Sequence, residues 1–319
     1  MWSEHLPAGR RIEILEGEPF HIDFGLRGDE WNRLQEEVEI VYHFFPVSND
    51  REAVRKALVE TVELCETAPR FRHLVLLSLF SVRDESVRSS RPEPSNSFGA
   101  PSSPWARSGI IAEKMLHNRR GAIPWTILRH GVPAAVSPTF MPGKPTSIID
   151  RVLQILVILQ CQVDIKTLKK ISSRHMSFTP VETLAEAAAL LPDKPHMAGE
   201  TLNFYFDGTC DIHFLRQIIG SVLNDQKVVN EGFTTKCRKA AEKLIERRCG
   251  DLTPLRLLGY CTTQGHSKCE KTVSFIEECG LAVPQIQSFL VQSIKANVKN
   301  IEEEIKSIES EMEITDSLE

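Results

Sequence analysis

Three strand-like runs end in side chains that could do chemistry. Val38-Glu39-Ile40-Val41-Tyr42-His43 closes on an imidazole, and Trp125-Thr126-Ile127-Leu128-Arg129 on a guanidinium. Between them, Arg72-His73-Leu74-Val75-Leu76-Leu77-Ser78-Leu79-Phe80-Ser81-Val82 carries two hydroxyls at its end. Open α/β sheets take their ligands in the crevice outside the carboxyl ends of the strands, so His43, Ser78, Ser81 and Arg129 are the crevice candidates. An imidazole there could transfer protons near neutral pH. A lone strand-end His is nonetheless more often structural, and only its surroundings assign it a role. Cys261, His266, Cys269 and Cys279 form a Cys/His cluster whose spacings match no zinc pair, so ordinary buried thiols are expected and no metal is assigned. Nowhere do two Gly flank a single residue, and the GKS/GKT, GxSxG and HExxH patterns are absent. The sequence therefore offers no glycine-rich turn to bring the backbone against a pyrophosphate at a helix N-terminus.

The elements that must hold these residues alternate. Strand-like runs lie at 12–16, 38–43, 73–79, 125–128, 176–178 and 202–206, and helical patterns at 30–37, 50–66, 105–118, 147–161, 181–191 and 212–223. Strands separated by helices predict βαβ units and a mostly parallel sheet. The runs at 38–45 and 73–79 are almost continuously apolar, as strands covered on both faces are. Beyond Val229 the strand signals stop, which predicts a helical lobe. Residues 86–104 (SVRSSRPEPSNSFGAPSSP) are rich in Ser and Pro and read as a flexible loop. In the last stretch Val291, Ile294, Val298, Ile301, Ile305, Ile308 and Met312 make a heptad seam. That helix either docks on its own lobe or self-associates through Val291, Ile294, Val298, Ile301, Ile305 and Ile308.

At 319 residues the chain has room for one large α/β domain or two modest ones. A net charge of −5 without a basic patch argues against nucleic-acid binding. Eight Cys with no signal-peptide pattern before them predict reduced thiols in the cytoplasm. The longest apolar run, 152–163, is broken by Gln154, Gln160 and Gln162 and is too short to span a bilayer, so it reads as a buried helix.

Several passages carry a resemblance. Arg11-Ile12-Glu13-Ile14-Leu15-Glu16-Gly17-Glu18, then Phe24-Gly25-Leu26 and Asp29-Glu30-Trp31-Asn32-Arg33-Leu34, is similar to "RIxxxxGDL…GL…EEWxxL". Val41-Tyr42-His43 matches "VYH", Ser78 to Val82 "STxSV", and Thr126-Ile127-Leu128-Arg129-His130-Gly131 resembles "TIxRPG" with His130 at the Pro. Phe178-Thr179-Pro180-Val181-Glu182-Thr183-Leu184-Ala185 looks like "TPVDxVA", and the passage from Ser267 through Gly280-Leu281-Ala282-Val283-Pro284 more loosely like "SNTxxxLxxxGIxCPP". In this order they resemble the terminal thioester reductase domains of polyketide and non-ribosomal peptide synthetases and of carboxylic acid reductases. These are extended short-chain dehydrogenase/reductases, similar also to fatty acyl-CoA reductases. The resemblance implies an α/β fold with a Rossmann-like parallel sheet, here incomplete, over 1–228. A helical substrate lobe over 229–290 and the heptad helix and tail over 291–319 follow. It also implies NADPH as the family's cofactor, an acyl carrier protein as partner, and reductive release of a carrier-bound acyl thioester to an aldehyde or alcohol.

The departures matter as much. The family opens with a strand, a Gly-rich turn and a helix, and this sequence aligns after them, so no cofactor-binding residue is expected to be intact and no cofactor is expected to bind. Its "AA" after the His strand is Phe45-Pro46 here. The Asn of "NVxGT" falls on Ala57, with Glu60 at the Gly and Thr61 retained. The resemblance places the carbonyl-polarising hydroxyl on Leu79, the proton-donating Tyr on Trp105 and the Lys that lowers its pKa on Gly109. Tryptophan has no acidic hydroxyl and glycine no charge. General acid–base catalysis is typically worth about 10²–10⁴-fold in rate, so its loss alone would be severe. Three readings result: a catalytically inactive relative kept for binding, an oxidoreductase completed by another segment, or an oligomerising assembly module. Bare apolar strand edges predict poor solubility or need of a partner.

Overall fold

In a computed structural model of the chain, the described residues are 12–44, 51–79, 104–119, 121–134, 178–204 and 270–283, with a few short pieces besides. The strands are β1 (Ile40–Phe44), β2 (His73–Leu79), β3 (Trp125–His130), β4 (Val132–Ala134), β5 (His175–Met176), β6 (Phe178–Pro180), β7 (Glu200–Phe204), β8 (Cys210–Asp211) and β9 (Thr262–Thr263). The helices are α1 (Gly28–Glu37), α2 (Arg51–Thr67), α3 (Pro104–Asn118), α4 (Val181–Leu190) and α5 (Glu270–Cys279).

The main sheet runs β1-β2-β3-β7 with every pair parallel, joined through α2 and α3 as βαβ units. The predicted Rossmann-like parallel sheet is therefore present. β4 pairs with β6 in parallel, and β5 lies antiparallel between β8 and β9. The reason lies in the patterning. Along α2, Val54, Ala57, Leu58, Thr61, Val62 and Cys65 recur at three- and four-residue steps, and all are buried. Leu58, Val62 and Cys65 among them, with Ala112 and Leu116 of α3, close over Leu74, Leu76, Trp125 and Ile127 of the sheet. Pro104 occupies the first position of α3, where its missing N–H is no loss. After the helix, Gly121 at φ 92 turns the chain toward β3.

Residues in register point to the same face of a sheet. His43, Leu76, Ile127 and Thr201 make one row, and Ser78, Arg129 and Asn203 the row beyond it, at the carboxyl ends of the strands. Both rows lie on the face that α2 and α3 cover. On the opposite face His73 Nε2 donates to Thr126 Oγ1 (2.9 Å), which donates to Met197 O (2.8 Å). The β1 end of that face is open, with Tyr42 40% and Phe44 71% exposed.

Some expectations change. No strand forms at 12–16: Ile12 and Ile14 alternate with polar residues but are exposed, and no described strand lies beside them. That stretch leads instead into a tight turn in which Asp23, Phe24 and Gly25 all have positive φ and Glu18 N bonds Phe24 O. The run at 176–178 divides between β5 and β6, β3 continues to His130, and the strand expected at 202–206 begins at Glu200. Pro104 opens a helix and does not close the loop 86–104, because Pro is well suited to a first helical turn. The two-residue β9 lies beyond Val229, where only helix was expected. The runs at 147–161, 86–103 and most of 212–223 fall outside the described residues, as do Ile294, Val298, Ile301, Ile305 and Ile308 of the heptad seam; Val291 is helical.

Candidate functional site

At the carboxyl ends of β2 and β3 the structure joins two of the crevice candidates through a third residue. Ser78 Oγ donates to Glu113 Oε1 at 2.6 Å. Arg129 Nε lies 3.0 Å from Oε1 and 3.1 Å from Oε2 of the same carboxylate, and its Nη2 donates to Oε2 as well. Ser78 and Glu113 are fully buried and Arg129 is 1% exposed. Buried charges persist where they are paired and hydrogen-bonded, and this pair is both. The chemical consequence is restrictive. The Ser78 proton and most of the carboxylate's accepting capacity are committed to one another and to the guanidinium.

Glu113 was not among the residues singled out from the sequence. The signal was there: it is an acidic residue on the stripe of α3 that also carries buried Ala112 and Leu116, and such stripes are normally apolar. It stands four residues after Gly109 and eight after Trp105, on one side of the helix.

His43, next to last in β1, has a different environment. Thr61 Oγ1 donates its single proton to Ala57 O at 2.8 Å, so toward His43 Nδ1, 3.0 Å away, it must accept. That fixes the proton on Nδ1 and leaves Nε2 a bare acceptor. Nε2 is buried and has no partner. Burial drives the imidazole down to about 4, so the ring is neutral at pH 7. His73, buried on β2, is likewise held at about 4 by burial. His130 is also lowered by burial, against a hydrogen bond from its Nδ1 to Gly131 O at 2.7 Å. Asn203, in register with Arg129 and 1% exposed, leaves both ends of its carboxamide without a partner.

The other predicted site residues are placed as follows. Leu79 ends β2 in register with His130, Trp105 lies in the first turn of α3, and Gly109 is buried one turn later. Ser81, Cys261, His266 and Cys269 fall outside the described residues, while Cys279 ends α5. Among the described residues no group of three or more His, Cys, Asp or Glu could hold a metal ion. No helix there is long and apolar enough to cross a membrane.

A parallel sheet with its polar residues at the strand ends can be set beside known proteins. The model of an NAD-binding family described as male sterility protein matches residues 1–188. The chain belongs to that family. No curated protein matches it by sequence. Among solved structures, this male sterility family member is similar to the terminal R domain of the myxalamid PKS-NRPS pathway, with a TM-score of 0.64 at 20% identity over 89% of this chain and 74% of that one. The reductase (R) domain of a non-ribosomal peptide synthetase from Mycobacterium tuberculosis gives a TM-score of 0.65 at 14% identity, covering 94% of this chain and 77% of the other. A thiolation-reductase di-domain from an archaeal non-ribosomal peptide synthetase gives 0.62 at 14% identity, over 93% of this chain and 64% of that one. At these identities the likeness is one of fold, and the fold is that of the thioester reductase (R) domains.

Proposed function

We propose that this chain is a thioester-reductase-like protein that has lost reductase catalysis and works by binding. The observation that carries the reading lies on α3 and the strand ends it faces. At the two positions where the resemblance puts the proton-donating Tyr and its Lys stand Trp105 and Gly109. The polar groups that α3 and the strand ends do bring together, Ser78, Glu113 and Arg129, are tied into one buried ion-pair cluster. The described residues also fit NADPH poorly. The sequence carries no glycine-rich turn whose backbone could approach a pyrophosphate at a helix N-terminus. No hydride step is therefore routed through this site.

The partner in this reading is an acyl carrier protein, since one similar fold belongs to a thiolation-reductase di-domain. Self-association through the heptad seam and the division at 228 and 290 belong to the same reading. Membership of an NAD-binding family favours one alternative, an active NADP-dependent oxidoreductase of thioester or fatty acyl type completed by a further segment. One experiment separates the two: NADPH oxidation by the purified full chain with an acyl-pantetheine thioester. No oxidation above the protein-free rate supports the binding reading, and steady turnover abolishes it.

A further inference from the structure

We propose that α5 is a releasable strap: ion pairs at both of its ends clasp it over β7, and raised ionic strength opens it as a unit while the main sheet stays folded. The first step is how little α5 has of its own. Its ten residues, Glu270–Cys279, fall short of the roughly 12–15 that an isolated helix needs in water. Its charges also oppose the helix dipole, which favours anions at the N-terminus and cations at the C-terminus. Lys271 follows Glu270 in the first turn, and the last turn carries Glu277 and Glu278 with no basic residue. Of the ten residues, Thr272 and Phe275 alone are buried, and Thr272 Oγ1 has no hydrogen-bond partner. Phe275 therefore anchors the helix against a cost, since a buried hydroxyl left unpaired disfavours docking.

The second step is what the sheet supplies. At one end Lys271 Nζ donates to Glu200 Oε2 at the start of β7. At the other, Glu278 accepts from Lys194 Nζ on Oε1 at 2.6 Å and from His196 Nε2 on Oε2 at 3.1 Å. The Glu278 carboxyl is held below its ordinary range, chiefly by that Lys194 hydrogen bond. Lys194 and His196 belong to the turn ahead of β7, and Thr126 of β3 donates to the Met197 O of that turn, so the clasp is fixed to the sheet core. Past the helix, Gly280 turns the chain at φ 62, and Ala282 O accepts from Thr183 Oγ1 of α4 at 3.2 Å. Pairing with Glu200 sets α5 on the face of β7 that carries Leu202 and Phe204, both fully buried. Single exposed ion pairs contribute little, but these form a network around a helix with one buried apolar side chain, and they decide whether it stays down. Regions held by few apolar contacts open locally, below the free energy of global unfolding. The inference concerns a moving part of the fold and stands apart from whether the chain reduces anything.

The test is hydrogen exchange of the full chain, read by mass spectrometry, in about 0.05 M and about 0.5 M sodium chloride, which brings the Debye length down to roughly the spacing of the paired groups. Amides of α5 should exchange roughly three- to ten-fold faster at the higher salt, with those of α2 and β2 unchanged. Glu278→Gln and Lys271→Gln should each speed α5 exchange at low salt and shrink its response to salt. The sign is decisive, because the helix dipole alone predicts that removing either charge slows exchange. Glu200→Lys should loosen α5 as well, and adding Lys271→Glu should restore slow exchange. Exchange of α5 that ignores salt, that fails to quicken in either Gln variant, or that proceeds only at the rate of α2 would overturn the proposal. NADPH-dependent thioester reduction would end the binding-only reading above and leave this one intact.

Discussion

Replacing Glu113 by Ala removes the carboxylate from between Ser78 and Arg129 and takes the Glu113 charge away from a guanidinium that is 1% exposed. Breaking a buried pair by removing one partner costs about 3–5 kcal/mol, because the remaining charge keeps its desolvation penalty. Ser78 loses its acceptor at the same time, worth roughly 1 kcal/mol more. Against a total stability on the order of 5–15 kcal/mol, that is a large fraction. With a urea slope of about 2–3 kcal/mol/M, the midpoint should fall by roughly 2 M with the slope unchanged. The paired replacement Glu113→Leu with Arg129→Met should instead be nearly neutral, since buried ion pairs exchanged for apolar residues of similar volume are often neutral or stabilising. Urea unfolding of wild type, Glu113→Leu, Arg129→Met and the double variant gives the coupling directly. A Glu113→Ala midpoint within 0.3 M of wild type (~1 kcal/mol at that slope) would refute the reasoning.

Further outcomes can be stated briefly. His43 has a folded-state value of about 4 against an ordinary 6.5, so the native state binds fewer protons than the unfolded one. Its contribution, at most about 3 kcal/mol, is present above pH 6.5 and lost as pH falls toward 4. Urea unfolding at pH 7.5 and 5 should show the drop, His43→Phe should flatten part of it, and an unchanged slope in that variant would count against the burial argument. Trp105→Tyr with Gly109→Lys should not restore NADPH oxidation, because Ser78 remains committed to Glu113 and the glycine-rich turn is still lacking; turnover by the double variant would show that two side chains alone silence the site. Phe44→Glu, at a residue 71% exposed on the outer strand, should reduce concentration-dependent light scattering while shifting stability by no more than about 0.5 kcal/mol. Unchanged scattering would mean that the exposed end of β1 does not drive association.

The main sheet was legible because β2 and β3 are buried on both faces and announce themselves as apolar runs, while β1 reads as an apolar run although one of its faces is open. β2 was read to the residue, and α2 and α3 to within one. The stretch at 12–16 misled because alternation specifies a strand only where another strand is there to pair with. Of the site, His43, Ser78 and Arg129 were visible as polar ends of apolar runs. Glu113 was not, since a single acidic residue within Ile110-Ile111-Ala112-Glu113-Lys114 reads as the wet side of a helix until the neighbouring strand ends supply a guanidinium and a hydroxyl. The bare Nε2 of His43 could not be read either. It depends on a threonine eighteen residues away spending its proton on its own helix.

The proposal that a thioester reductase-like fold works here without cofactor chemistry is tested most directly by calorimetric titration of the folded chain with NADPH. The account predicts no binding heat from a chain that unfolds cooperatively in the same preparation. Saturable binding would contradict it, and would mean that a cofactor site exists outside the residues from which the binding-only reading is drawn.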